Sequence, residues 1–73
     1  MSPIEVRDGL RTETIPPGQF LRLIQGNEYL SISSTESGAT IRGDAFKGPK
    51  NFPEGLYIIA GIVCRVYPEK KSL

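Results

Sequence analysis

Residues 55–67 read GLYIIAGIVCRVY, and Arg65 carries the only charge among them. As one strand, this run would turn Leu56, Ile58, Ala60, Ile62, Cys64 and Val66 to one side. Tyr57, Ile59, Val63 and Tyr67 would face the other side. A half-buried strand alternates apolar and polar residues, and this run does not. Two arrangements account for it. It is one long central strand whose second face rests on something outside the chain's own small core, or a hairpin turning at Ala60-Gly61 that buries both halves.

On either side of this run, the punctuation is of the β type. Eight glycines and six prolines recur at short intervals, and no helix-period run of about ten residues survives between them. Residues 19–34, QFLRLIQGNEYLSISS, are the clearest hairpin. Gly26-Asn27 fits a two-residue turn with glycine first. That turn pairs Gln25 with Glu28, Ile24 with Tyr29, Leu23 with Leu30, and Leu21 with Ile32. One face is then Leu21, Leu23, Leu30 and Ile32. The other, with Phe20, Arg22, Ile24, Tyr29 and Ser31, is half apolar.

Residues 4–14, IEVRDGLRTET, form a second hairpin. A three-residue loop, Arg7-Asp8-Gly9, would pair Val6 with Leu10, Ile4 with Thr12, and Glu5 with Arg11. This keeps the apolar residues on one side. Ile15-Pro16-Pro17-Gly18 reads as a turn or sheet-edge crossing, because proline cannot donate to a ladder. Residues 33–39 and 47–55 read as loops, with a short strand near Thr40 to Arg42. The sum predicts an all-β fold, a small antiparallel sandwich or barrel of about five to six short strands. It is one domain over residues 1–73, with 1–3 and 68–73 as flexible tails. The expected core is Val6, Leu10, Leu21, Leu23, Leu30, Ile32, Ile58 and Ile62.

Composition narrows the function. A 73-residue chain buries only about 60% of its unfolded surface, and such domains lean on disulfides, a metal or a partner. Cys64 is the only cysteine and there is no histidine, so an internal disulfide and a zinc site are not expected. A partner subunit remains. Nine Lys plus Arg against eight Asp plus Glu is no basic footprint for nucleic acid. Early charges such as Glu5, Arg7 and Asp8 argue against a signal peptide. The apolar run is about half the length of a membrane-spanning helix. The expectation is a soluble protein of a reducing compartment, complete from Met1, with no membrane partner.

No catalytic residue, cofactor or metal ligand stands out. General acid–base catalysis favours a group poised near neutrality, most often His. Asp8, Glu28, Glu36 and Glu54 fall in expected turns, where acids commonly cap or solvate. Cys64 has no base to activate it and reads as a core residue. Neither GxxxxGK[ST] nor GxGxxG occurs. Arg42-Gly43-Asp44 spells an integrin-binding tripeptide, but three residues match often by chance and read equally as a strand end and turn. Lys47, Lys50, Lys70 and Lys71 lie near Phe46, Phe52, Tyr57 and Tyr67. Lys47, Lys50, Phe52 and Tyr57 could therefore form a stacking platform for single-stranded nucleic acid, or bind a peptide, on an OB-like or SH3-like barrel. The stronger signal is excess apolar surface. Phe20, Ile24, Tyr29, Tyr57 and Ile59 are the expected anchors of a protein interface.

Two stretches carry a resemblance. "IPPGQFLRLIQGNEYLSI" places a Pro-Gly turn before an alternating hairpin. "GDAFKGPKNFPEGLYII" flanks a Gly-Pro turn with Phe46 and Phe52 and leads into a hydrophobic strand. Over roughly residues 15–63 the chain resembles the small β-structured virion proteins of bacteriophages, of the decoration, cement, minor capsid or tail type. The likeness is one of style, without a signature motif, and transfers no residue roles. It implies a non-enzymatic structural protein in many copies, located in the virion and packed on itself or on a larger capsid or tail protein. Outside a virus, the expected location is cytoplasmic.

Overall fold

The computed structural model describes residues 1–69. Among these described residues, eight strands form two four-stranded antiparallel sheets. They are β1 (Ile4–Asp8), β2 (Arg11–Ile15), β3 (Phe20–Gln25), β4 (Glu28–Thr35), β5 (Gly38–Gly43), β6 (Lys50–Phe52), β7 (Gly55–Ile59) and β8 (Ile62–Val66). The first sheet runs β2-β1-β8-β7 and the second β3-β4-β5-β6. All-β architecture is as expected, with more strands. The final run is two strands, and the loop expected at 47–55 contains β6. The loop expected at 33–39 shortens to Glu36-Ser37 between β4 and β5.

The opening stretch is a hairpin. Ala60 and Gly61 both take positive φ, 51° and 79°, as a two-residue primed turn requires. The turn reverses the faces. Tyr57 lies opposite Cys64 and Ile59 opposite Ile62, so all four share the inner side. Leu56 and Ile58 are left outside with Val63 and Arg65. Ile58 is therefore no core residue. It is 77% exposed, whereas Ile62 is 1% exposed.

The hairpin at 20–32 has the expected register, Leu23 with Leu30 and Leu21 with Ile32. The N-terminal hairpin does not. Its loop is the two residues Gly9-Leu10, with Gly9 at φ 62°. The pairs are Val6 with Glu13 and Ile4 with Ile15. Leu10, expected in the core, sits at the tip of the turn in solvent. A glycine-first turn matches the right-handed twist of the strands, and it brings Ile15 inward where Leu10 had been expected.

The core lies between the sheets. Ile4, Val6, Ile15, Ile62, Cys64 and Val66 come from the first sheet, and Leu30, Ile32, Ala39 and Ile41 from the second. Leu21, Leu23, Phe46, Phe52, Tyr57 and Ile59 pack partly against it. β1 joins the chain ends, since Ile4 pairs with Val66 and Val6 with Cys64. Residues 16–19 cross from the first sheet to the second, closed by the Gln19 amide donating to the Pro16 carbonyl at 3.0 Å.

Residues 1–3 were expected to be a free tail, but they make contacts. Ser2 is buried, and its carbonyl accepts from the Ser34 hydroxyl at 2.6 Å. The Met1 ammonium pairs with the Glu69 carboxylate. Of the tail expected at 68–73, Lys70, Lys71, Ser72 and Leu73 lie outside the described residues.

Candidate functional site: two exposed apolar stripes

Because the side-chain period of a strand is two, each strand that feeds the core presents its other residues to the opposite face. On the second sheet that outer face carries Phe20, Arg22 and Ile24 from β3, and Tyr29 and Ser31 from β4. Ile24 lies directly opposite Tyr29, and Arg22 opposite Ser31. Phe20 is 57% and Ile24 74% exposed, and Tyr29 is also exposed. The Arg22 guanidinium lies 5.2 Å from the Phe20 ring centroid, an attraction to the negative face of the ring. Tyr29 is pinned through its backbone. Its amide donates to the Asp44 carboxylate at 3.0 Å, and its carbonyl accepts from the Asp44 amide.

On the first sheet the outer stripe is Leu56 and Ile58 of β7 with half-buried Val63 of β8 beside them. Two of the expected anchors therefore move. Tyr57 and Ile59 are half-buried against the core, because the turn at Ala60-Gly61 points them inward. Leu56 and Ile58 take their place as the exposed residues of this hairpin. Phe20, Ile24 and Tyr29 are exposed as the alternating pattern requires.

The residues considered for nucleic acid form a different feature. Phe52 sits edge-on to Tyr57 with centroids 4.9 Å apart, and Phe46 lies 6.4 Å from Phe52. The Tyr57 hydroxyl donates to the Pro53 carbonyl at 2.6 Å. Lys50 caps the Phe46 ring at 5.3 Å, and Lys47 is exposed nearby in the loop. A stacking platform needs open ring faces. Here Phe52 and Tyr57 are half-buried and pack against each other and the core, so the cluster ties β6 and its flanking loops to the core.

Other candidates resolve in similar ways. In Arg42-Gly43-Asp44, a Cβ on Gly43 would lie 2.7 Å from the Tyr29 carbonyl oxygen. With the Asp44 carboxylate held by Tyr29, the tripeptide is wedged against β4. An open cleft of about 270 Å³ between β2 and β3 brings Asp8 and Glu13 together with Arg11 and Arg22. Equal numbers of carboxylates and guanidiniums make it a balanced ionic margin of the seam. No group of three or more metal-ligating side chains occurs among the described residues. No helix there is long and apolar enough to cross a membrane.

Cys64 is fully buried, and desolvation pushes its thiol from 9.0 up to about 11. The thiolate is the nucleophile, so this thiol is inert in the folded protein. The same shift sets an alkaline limit. Near pH 9 the unfolded chain releases the proton while the folded chain retains it. Stability from the neutral thiol is complete below that pH and lost as pH rises through about 11. The loss approaches ~3 kcal/mol for a shift of this size. Urea midpoints of wild type and Cys64→Ala, compared between pH 8 and 11, should therefore converge as pH rises. A constant gap would contradict the burial of this thiol.

No family model, curated protein or solved structure matches the chain.

Proposed function

We propose that this chain is a non-enzymatic assembly domain, a small β sandwich that works in many copies by packing on itself or on a larger structural protein. The observation that supports it is the exposure of Phe20, Ile24 and Tyr29 on one sheet and Leu56 and Ile58 on the other, although the core is already filled. Monomeric proteins seldom leave large contiguous apolar patches in water. Aromatic and aliphatic side chains with an arginine among them are the usual anchors of interfaces. Stripes on two opposite faces give each copy two contacts, which is what extended or ring-like assemblies need. The resemblance to bacteriophage virion proteins suggests the setting, a repeating capsid or tail surface.

The test is native mass by light scattering for wild type and for Phe20→Ser combined with Ile24→Lys. Both positions are exposed, so the variant keeps its fold. Wild type is expected above 8.0 kDa, with a clear fall in mass for the variant. A wild type that stays monomeric at micromolar concentration and binds no apolar dye would overturn the reading.

A further inference from the structure

Resting on that assembly reading, we propose that β7 is the edge through which two copies join, antiparallel, about a two-fold axis at Tyr57. β7 is the outer strand of the first sheet. In a two-residue hairpin the pair flanking the turn exchanges hydrogen bonds, and such pairs alternate along the ladder. Ile59 with Ile62 is that flanking pair, so Tyr57 with Cys64 and Gly55 with Val66 are also bonded. Leu56 and Ile58 stand between them. Their amides and carbonyls point away from β8, along the free edge.

The same two residues carry the exposed apolar side chains of this strand, 58% and 77% exposed. Backbone and side-chain groups in need of a partner thus coincide. With the two-fold at Tyr57, Leu56 of one copy meets Ile58 of the other, and the reverse. Every outward amide faces an outward carbonyl, giving four hydrogen bonds and two apolar cross-strand pairs. The pairing is self-complementary, as a two-fold interface must be. Beside the edge lies an open cleft lined by Glu28, Phe46, Lys50, Phe52, Ile58 and Ile59.

The other three edges are protected in the ways natural sheets use. β2 carries two charges, Arg11 and Glu13, and Glu13, opposite Val6, points inward. β6 has three residues between Pro49 and Pro53. β3 carries Arg22 at the centre of its outward row. β7 alone has no charge or proline along its length.

The test begins with the Phe20→Ser, Ile24→Lys chain, which lacks the other stripe. Light scattering should find it at twice the chain mass of 8.0 kDa. Adding Ile58→Lys should yield a folded monomer, checked by circular dichroism. Register is read by mixing Leu56→Cys and Ile58→Cys chains under mild oxidation. Cys64 is buried and does not compete. The mixed disulfide should form several-fold faster than either homodimer, since Leu56 faces Ile58 across the axis. A dimer that survives Ile58→Lys, or faster Leu56→Cys homodimers, would overturn the edge pairing. So would a monomeric Phe20→Ser, Ile24→Lys chain, with the assembly reading left standing. Monomeric wild type that binds no apolar dye would remove both.

Discussion

Gly38→Ala is expected to unfold most of the domain at room temperature, or to lower its Tm by roughly 20 °C or more. Gly38 opens β5 at φ 120°, a conformation that residues with a Cβ rarely adopt. It is buried, and a Cβ there would lie 2.4 Å from the Phe52 carbonyl oxygen and 2.9 Å from the Pro53 Cα. These are backbone atoms, so no side chain can swing aside. Relief requires moving the end of β6, which pairs with β5 through Phe52 and Ala39. Backbone strain costs about 1–3 kcal/mol, and overpacking adds about 1–3 kcal/mol. A chain of this length holds only about 4–11 kcal/mol in total. Gly48→Ala is the control. A Cβ there meets nothing within 4 Å, and its urea midpoint should match wild type. A Gly38→Ala protein melting within a few degrees of wild type would mean that β6 does not close on β5 at this point.

Ile62→Ala and Ile58→Ala should differ by about 3 kcal/mol, with nearly all of the loss at Ile62. In a single straight strand, positions 58 and 62 would share a face and the two losses would be similar. The turn at Ala60-Gly61 separates them. Ile62 is 1% exposed in the core, and Ile58 is 77% exposed. Removing a buried isoleucine side chain costs about 2–5 kcal/mol, part of it for the cavity left behind. Removing an exposed one changes stability by about 0.5 kcal/mol or less. Urea melts should be run at high dilution, where association does not contribute. Equal losses would restore the single-strand reading of residues 55–67.

These two experiments probe places where the sequence was hardest to read. The strand pair around Gly26-Asn27 was legible because its turn residues and its alternation agree. At Ala60-Gly61 they do not. An alanine at φ 51° occupies a position where Asn, Asp or Gly would normally announce the turn. The apolar run also continues through the turn unbroken in letters while the chain reverses in space. That is why the letters point to Tyr57 and Ile59 as surface anchors, while the fold exposes Leu56 and Ile58.

In the N-terminal hairpin, counting apolar residues on one face favoured Leu10 as core. The fold instead accepts Glu13 on the inner side, where it borders the cleft between β2 and β3 alongside Arg11 and Arg22. An open seam lets a charged residue face inward at the margin of the sheet, so the apolar count misleads there. β6 gave almost no signal, because three residues between prolines are too short to show a period. The stripe of Phe20, Ile24 and Tyr29 was legible, since it follows directly from the register of its hairpin.

Assembly through exposed apolar stripes is most directly tested by the native mass of wild type after size exclusion, at low and at high salt. Apolar contacts hold or tighten as salt rises, whereas binding driven by charge weakens. The expected result is a defined species above 8.0 kDa that persists in high salt. A monomer in both conditions, with Phe20, Ile24, Leu56 and Ile58 left in water and no apolar dye bound, would contradict it.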